Sequence, residues 1–403
     1  MAELLWGQVY FHDTYAGLLR QEPGERCSFT YDSTYVGRNH SPIAWTLPLQ
    51  KAAFISQHGL HPFFDNLVAE GWLEEAQSRL LGKRSASRFE LLLAFGQDCA
   101  GAVSIQDPAP ADLTPARIDR NDPRQLALLH GRASLSGIQP KLALVRTGKE
   151  FRPATSREVS THIAKFASRR HDDLLFNELL TMRAFNALLP DDPLVDLQIG
   201  SIEGFSDPAL IITRFDRTPH GKRIHFEEFN QLLDRPSTAK YDGAYREMAD
   251  FIRTTPGCLP AETYRLYLRI LAGLLLGNTD MHLKNFAMFH TPEGLRLTPS
   301  YDQVAAALYD YNTIALSLGG ASDIPWTQLK ARSLIRLGEE FGLSRDAMAM
   351  ACDHLARRKD GALHAINDER TADPSLKAAL TELVKKRWNG TFNLIGSALS
   401  KKR

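Results

Sequence analysis

The apolar residues of this chain change their spacing near residue 240, and that change narrows its possible folds more than any other feature. Before it lie short β-prone runs between polar loops; after it the pattern is mostly helical. Leu4–Phe11 and Ala16–Leu19 flank His12-Asp13-Thr14-Tyr15 and read as a hairpin, with a helical stretch expected around Phe63–Leu81. Ala102–Ile105, Lys141–Arg146 and Val159–Phe166 read as strands, and Leu174–Leu189 as a helix ended by Pro190. Ala209–Phe215 is a continuous apolar run, the signature of a strand covered on both faces. Tyr264, Tyr267, Leu268, Leu271 and Leu275 then recur at helical spacing, and further helices are expected at Arg345–Arg358 and Ser375–Trp388. The expectation is an α+β chain, a strand-rich lobe joined to a helix-rich lobe with a cleft between them. Asp107-Pro108-Ala109-Pro110-Ala111-Asp112 is the best candidate boundary, dividing the chain into segments 1–107, 108–235 and 236–403.

A chain of 403 residues is long enough for two or three cores. Its formal charge of +1 excludes a molecule that binds polyanions with its whole surface. Lys385, Lys386 and Arg387, with Lys401, Lys402 and Arg403 at the end, read as a solvated basic helix end rather than a DNA contact. Cys27, Cys99, Cys258 and Cys352 are scattered without a C-x-x-C pair, which argues against a disulfide framework and fits a reducing cytosol. The N-terminus lacks the basic and apolar regions of a signal peptide, and Ile270–Leu276 is too short to span a bilayer. A cytoplasmic protein without a membrane partner is expected.

The segment with the most chemistry is Leu276-Gly277-Asn278-Thr279-Asp280-Met281-His282-Leu283-Lys284-Asn285-Phe286, directly after the amphipathic helix. Asp280 and Asn285 have the spacing of a kinase catalytic loop, in which one carboxylate reaches the nucleophile while a neutral oxygen nearby holds a metal. Roughly one Asp-x-x-x-x-Asn is expected by chance in a chain of this size, so its company decides. Downstream, Leu297-Thr298-Pro299-Ser300-Tyr301-Asp302 supplies a second carboxylate, and magnesium needs one or two carboxylates beside phosphate oxygens. Upstream, Lys165 falls within a strand, as does the kinase lysine that pairs with nucleotide phosphates; an edge-strand gatekeeper is the structural alternative. Glu178, on the next expected helix, could complete the lysine–glutamate ion pair. No G-x-G-x-x-G or Walker A sequence precedes that strand. Instead Gly131 to Lys141 supplies small residues whose N–H groups could approach phosphates, with Lys141 adding charge. A metal hydrolase built on His282, His290 and Asp280 lacks any H-E-x-x-H spacing.

Taken in order, five segments resemble the motifs of HipA-family kinases: Ser134 to Lys141, Ser160 to Lys165, Arg214-Phe215-Asp216-Arg217, Asn278 to Phe286, and Leu297 to Asp302. Thr46-Leu47-Pro48-Leu49-Gln50 and Phe63-Phe64-Asp65-Asn66-Leu67 extend the likeness to the N-terminal part. The resemblance implies a protein-kinase-like two-lobe fold preceded by a small α+β subdomain, 1–107. Residues 108–235 would form the nucleotide-binding lobe and 236–403 a mainly helical lobe carrying the catalytic loop. ATP would be bound by Ser136, Gly137, Ile138, Gln139, Lys141 and Lys165, by a hinge at Thr213, Arg214 and Phe215, and by His282, Lys284 and Tyr301. Asp280 would be the catalytic base, and Asn285 and Asp302 the magnesium ligands. Ser134, with Ser136 as a second candidate, matches an inhibitory autophosphorylation position. Such kinases act as toxins by phosphorylating an essential translation protein, typically an aminoacyl-tRNA synthetase. They are neutralised by a HipB-like helix-turn-helix antitoxin, with operator DNA bound by the pair. Three departures stand out. Met281 replaces a glycine of some members and would narrow the catalytic loop, and Pro140 stiffens the phosphate loop. Thr213 replaces an acidic hinge residue, so adenine contacts there would rely more on backbone groups.

Two other readings share these residues. A kinase of a lipid or small molecule would use the same base and metal ligands, and a transcriptional co-repressor or scaffold would act with the antitoxin, since the chain has no evident helix-turn-helix of its own.

Overall fold

The computed structural model describes residues 4–110, 141–155, 158–167 and 171–400. The chain divides into two compact units, Met1–Arg170 with Asp196–Ala239, and His171–Val195 with Lys240–Arg403.

The first unit holds two antiparallel five-stranded sheets. β1 (Trp6–Phe11), β2 (Thr14–Gln21), β3 (Cys27–Tyr31), β4 (Phe54–Ser56) and β5 (Val103–Gln106) form one, in the order β4-β3-β2-β1-β5. The first hairpin turns on His12 and Asp13 alone, with φ of 46° and 63°, rather than on the four residues read from sequence. Two successive left-handed residues match the right-handed twist of the strands they join. Helices α1 (Ser33–Gly37), α2 (Pro62–Asp65), α3 (Trp72–Leu80) and α4 (Arg88–Phe95) accompany this sheet. Val9, Leu19 and Phe29 of the strands share one core with Phe63, Phe64 and Leu92 of the helices. The single helix expected over Phe63–Leu81 is thus broken. Asn66 ends α2 by donating its side-chain amide to the Pro62 carbonyl at 2.8 Å, and Gly71, with φ of 61°, precedes α3. Leu67, Val68 and Ala69 between them are buried, so the apolar spacing that suggests a continuous helix belongs in part to a buried loop.

The second sheet comprises β6 (Lys141–Thr147), β7 (Glu150–Pro153), β8 (His162–Lys165), β9 (Leu197–Gly200) and β10 (Ala209–Thr213), ordered β7-β6-β8-β10-β9. β8 is central, which rules out the edge-strand explanation of Lys165. Ala209, Leu210 and Ile211 of β10 are all buried although successive side chains point to opposite faces, as expected of a strand covered on both sides.

The second unit is mainly helical. α5 (Leu174–Leu188) stops before Pro190 and packs along α9 (Arg345–Asp368), with α6 (Tyr245–Thr254), α7 (Pro260–Leu275), α8 (Ala331–Glu340) and α10 (Pro374–Arg387) around them. A hairpin, β11 (Ala287–Thr291) and β12 (Gly294–Leu297), follows α7. The buried face of α7 centres on Leu266, Tyr267, Ile270, Leu271 and Leu274, whereas Tyr264 and Leu268 of the expected stripe are only half-buried. Arg269 lies in the interior because its guanidinium and that of Arg265 both donate to Asp192, at 2.6 and 2.8 Å. In the basic run, Lys385 and Lys386 are exposed at the C-terminal turn of α10, while the Arg387 guanidinium stacks 3.8 Å from the centre of the Trp326 ring. Arg387 is therefore a packing residue, and no helix among the described residues is long and apolar enough to cross a membrane.

A buried charge cluster locks the first unit together. The Arg214 guanidinium donates to Asp216 at 2.7 and 2.9 Å, to Asp98 at 3.2 Å, to Ser160 and to the Cys99 carbonyl. Arg217 donates to the same two carboxylates and to the Cys99 and Gly101 carbonyls. Burial alone would raise both aspartates, but the arginines beside them hold their carboxyls well below the usual range. Breaking one partner of such a cluster leaves a buried charge uncompensated, so Arg214→Ala should destabilise the protein by about 3–5 kcal/mol in denaturant unfolding. Because the two carboxyl pKa values are depressed on folding, their contribution is complete above about pH 4 and is lost as the pH falls further. Acid titration of stability should show this loss in the wild type, and a smaller one in Asp98→Asn.

Candidate active site

The candidate site in the second unit begins where α7 ends. The chain leaves the helix through Gly277, whose φ is 83°, with the Asn278 N–H donating to the Gly273 carbonyl at 2.9 Å. A side chain at Gly277 would be strained by that backbone and would meet Leu383 at 2.9 Å, so glycine is required twice over. The polar loop that follows is tied at each residue. Asn278 donates to the Gln303 side chain at 3.0 Å and accepts the Asp280 N–H at 3.1 Å. Thr279 donates its hydroxyl to the Tyr311 carbonyl at 2.7 Å. Met281 does not narrow this loop as its sequence position suggests. It is fully buried, and a Cβ on Gly273 would lie 2.4 Å from its sulfur, so its bulk fills the space beside α7.

Three side chains with chemical capacity are held there. The Asp280 carboxyl is pushed up to about 6 by burial, with the negative charge of Asp302 adding to the rise and the Tyr241 hydroxyl, donating to Oδ1 at 2.9 Å, opposing it. Asn285 closes the short turn Leu283–Asn285: its Oδ1 accepts the His282 N–H at 3.0 Å and its Nδ2 donates to Asp302 Oδ2 at 3.1 Å. Asp302 stands in a left-handed conformation, φ 56°, uncommon for a residue with a side chain. The approach to it is clamped, since the Leu297 N–H donates to Glu262 at 3.1 Å, the Ser300 N–H to the Pro193 carbonyl at 2.8 Å, and the Tyr301 hydroxyl to the Lys284 carbonyl at 2.8 Å. The Asn285 amide nitrogen faces Asp302, and its Oδ1 keeps a second lone pair beyond the His282 bond. An amide oxygen and a carboxylate on neighbouring side chains are the hard oxygen donor types that suit magnesium. Asp280, His282, Lys284, Asn285, Tyr301 and Asp302 are thus gathered within one unit. Tyr241, Asn278 and Gln303 belong with them; the sequence signals for the last two are only that they flank Asp280 and Asp302. Nothing in the spacing points to Tyr241. Glu178 lies on α5 of the same unit and is buried.

In the first unit, the register of β6 and β8 sets Lys141 directly opposite Lys165, which is buried at the end of the central strand. Thr213 pairs with His162, three residues along from Lys165 and roughly 10 Å away at strand spacing. The hinge expectation needs one correction. The Arg214 side chain is consumed in the buried charge cluster, and the N–H groups of Thr213 and Arg214 donate to the Asp196 and Thr161 carbonyls. Any contact at 213–215 would therefore use other groups. Ser134, Ser136, Gly137, Ile138 and Gln139 lie outside the described residues.

The family model described as HipA-like C-terminal domain matches residues 133–363, and that described as HipA N-terminal domain matches residues 7–106. The serine/threonine-protein kinase toxin HipA of Shewanella oneidensis is 29% identical over 350 residues, 79% of each chain. The putative kinase Y4mE of Sinorhizobium fredii is 26% identical over 332 residues, 75% of this chain and 77% of the relative. Among solved structures, the Shewanella oneidensis HipA, HipB and operator DNA complex contains a chain that superposes with a TM-score of 0.78. The match covers 97% of this chain and 99% of that one at 23% identity, a likeness of fold. With more than half its length matched by one family model and most of the rest by another, the chain belongs to the HipA family and has its α+β, kinase-like fold.

Proposed function

We propose that this chain is a protein serine/threonine kinase that uses ATP and magnesium, and that it acts as the toxin of a toxin–antitoxin pair. The observation that carries the reading is the grouping of Asp280 with the hydrogen-bonded Asn285–Asp302 pair after α7, where burial raises the Asp280 carboxyl to about 6. A base with that pKa is largely ionised at neutral pH yet still basic enough to accept a proton from a serine hydroxyl as its oxygen attacks the γ-phosphorus. Magnesium held by Asn285 and Asp302 would supply charge neutralisation for the transferring phosphoryl group. Lys141 and Lys165 suit the nucleotide phosphates, with Ser136, Gly137, Ile138 and Gln139 assigned as further nucleotide-binding residues, and Glu178 fills the acidic role of an active kinase. In this reading Thr213 and Phe215 serve the nucleotide in the first unit, and in the second unit His282, Lys284 and Tyr301 belong to the loop system that carries Asp280, Asn285 and Asp302.

The Shewanella oneidensis relative is called a serine/threonine-protein kinase toxin, and the solved HipA chain is in complex with HipB and operator DNA. These likenesses support a HipB-like helix-turn-helix antitoxin as partner, with operator DNA reached through that partner. The target assigned here is an essential translation protein, an aminoacyl-tRNA synthetase in the first instance, and Ser134 is the site of inhibitory autophosphorylation. A phosphate on Ser134 would add about −1.5 to −2 charges within the phosphate loop and compete with the nucleotide.

Asp280→Asn should lower phosphoryl transfer from radiolabelled ATP by about 10²- to 10⁴-fold. Calorimetry should show its affinity for Mg-ATP little changed; undiminished transfer would remove Asp280 from the base role. Preincubation with ATP should slowly inactivate the wild type, and Ser134→Ala should prevent this while keeping transfer to other proteins. Self-inactivation that persists in Ser134→Ala, with phosphate on Ser136, would move the switch to that residue.

A further inference from the structure

The Tyr241 hydroxyl forms the one hydrogen bond made to the Asp280 side chain among the described residues, donating to Oδ1 at 2.9 Å. Tyr241 is 41% exposed, an unusual position for so large a ring, yet it is anchored to the catalytic loop twice over. Its ring meets the His282 ring edge-on at 5.0 Å and 89°, and the carbonyl of its neighbour Lys240 accepts the Leu283 N–H at 3.1 Å. The Lys240 ammonium lies over the same ring, 5.5 Å from its centre. A phenylalanine would pack on His282 equally well. What the hydroxyl adds is the bond to Asp280.

Carboxylates turn easily about their last torsion, and a charge-assisted hydrogen bond to one oxygen fixes that torsion. We infer that Tyr241 is a positioning residue for phosphoryl transfer, holding Oδ1 of Asp280 so that Oδ2 is presented to the acceptor hydroxyl. The inference rests on the kinase reading. In the step it serves, the acceptor O–H bond breaks and its proton goes to Oδ2 while the new O–P bond forms. The old O–P bond breaks with its electron pair leaving on ADP.

The test uses Tyr241→Phe in the full chain, with dephosphorylated casein as acceptor and crystal structures of wild type and variant. The expected result is a kcat about 10- to 100-fold lower with KM for ATP unchanged, unchanged melting, and an Asp280 carboxylate that loses its single orientation. An unchanged orientation, or an unchanged kcat, overturns the inference. A raised kcat would also overturn it, by showing that Tyr241 occupies the acceptor's own seat. Failure of the kinase reading is separately visible. If wild-type protein transfers no phosphate, or Asp280→Asn transfers it equally well, that reading falls, whereas the orientation comparison still decides whether Tyr241 positions Asp280.

Discussion

The last turn of α7 closes on Gly277, and from that point a polar loop runs through the interior of the second unit with nearly every backbone and side-chain group engaged. A buried polar segment survives only when its hydrogen bonds are complete, and completeness removes alternatives. Gly273 supports the arrangement from within the helix by giving Met281 room, and Asn278 supports it from the loop by joining Gln303, the residue after Asp302. The same bonds that make the loop affordable therefore fix the separation of Asp280, Asn285 and Asp302. Burial also acts on the chemistry of the loop, since it raises the Asp280 carboxyl to about 6.

The first unit contains a comparable concentration of buried charge with a different purpose. Arg214, Asp216 and Arg217 meet Asp98 in a cluster that joins the end of β10 to the loop after α4. The Arg214 guanidinium is fully engaged within it, and both carboxylates are held by arginines. Arg214, Asp216 and Arg217 of the motif thus have a structural role, and Lys141 and Lys165 stand opposite each other on neighbouring strands.

Much of this was legible in the residues. The α+β division and the positions of most strands and helices follow from apolar spacing, and the Asp280, Asn285 and Asp302 series follows from order and spacing along the chain. Three things were not legible. The break in Phe63–Leu81 depends on Asn66 capping and on burial of a loop, which periodicity cannot distinguish from helix. The fate of Met281 depends on Gly273, a turn of helix and a loop away. Tyr241 reaches Asp280 across 39 positions of sequence, and no local pattern records such a contact. Arg214 shows the converse, a motif residue whose guanidinium is wholly used inside the core.

The central claim, that Asp280 serves transfer of phosphate to another protein, is tested most directly by phosphoproteomics of cells making the wild type beside cells making Asp280→Asn. The account predicts one dominant new phosphoserine on a translation factor or aminoacyl-tRNA synthetase, present only with the wild type. Phosphate on this protein alone, or the same phosphosites with both forms, would contradict it.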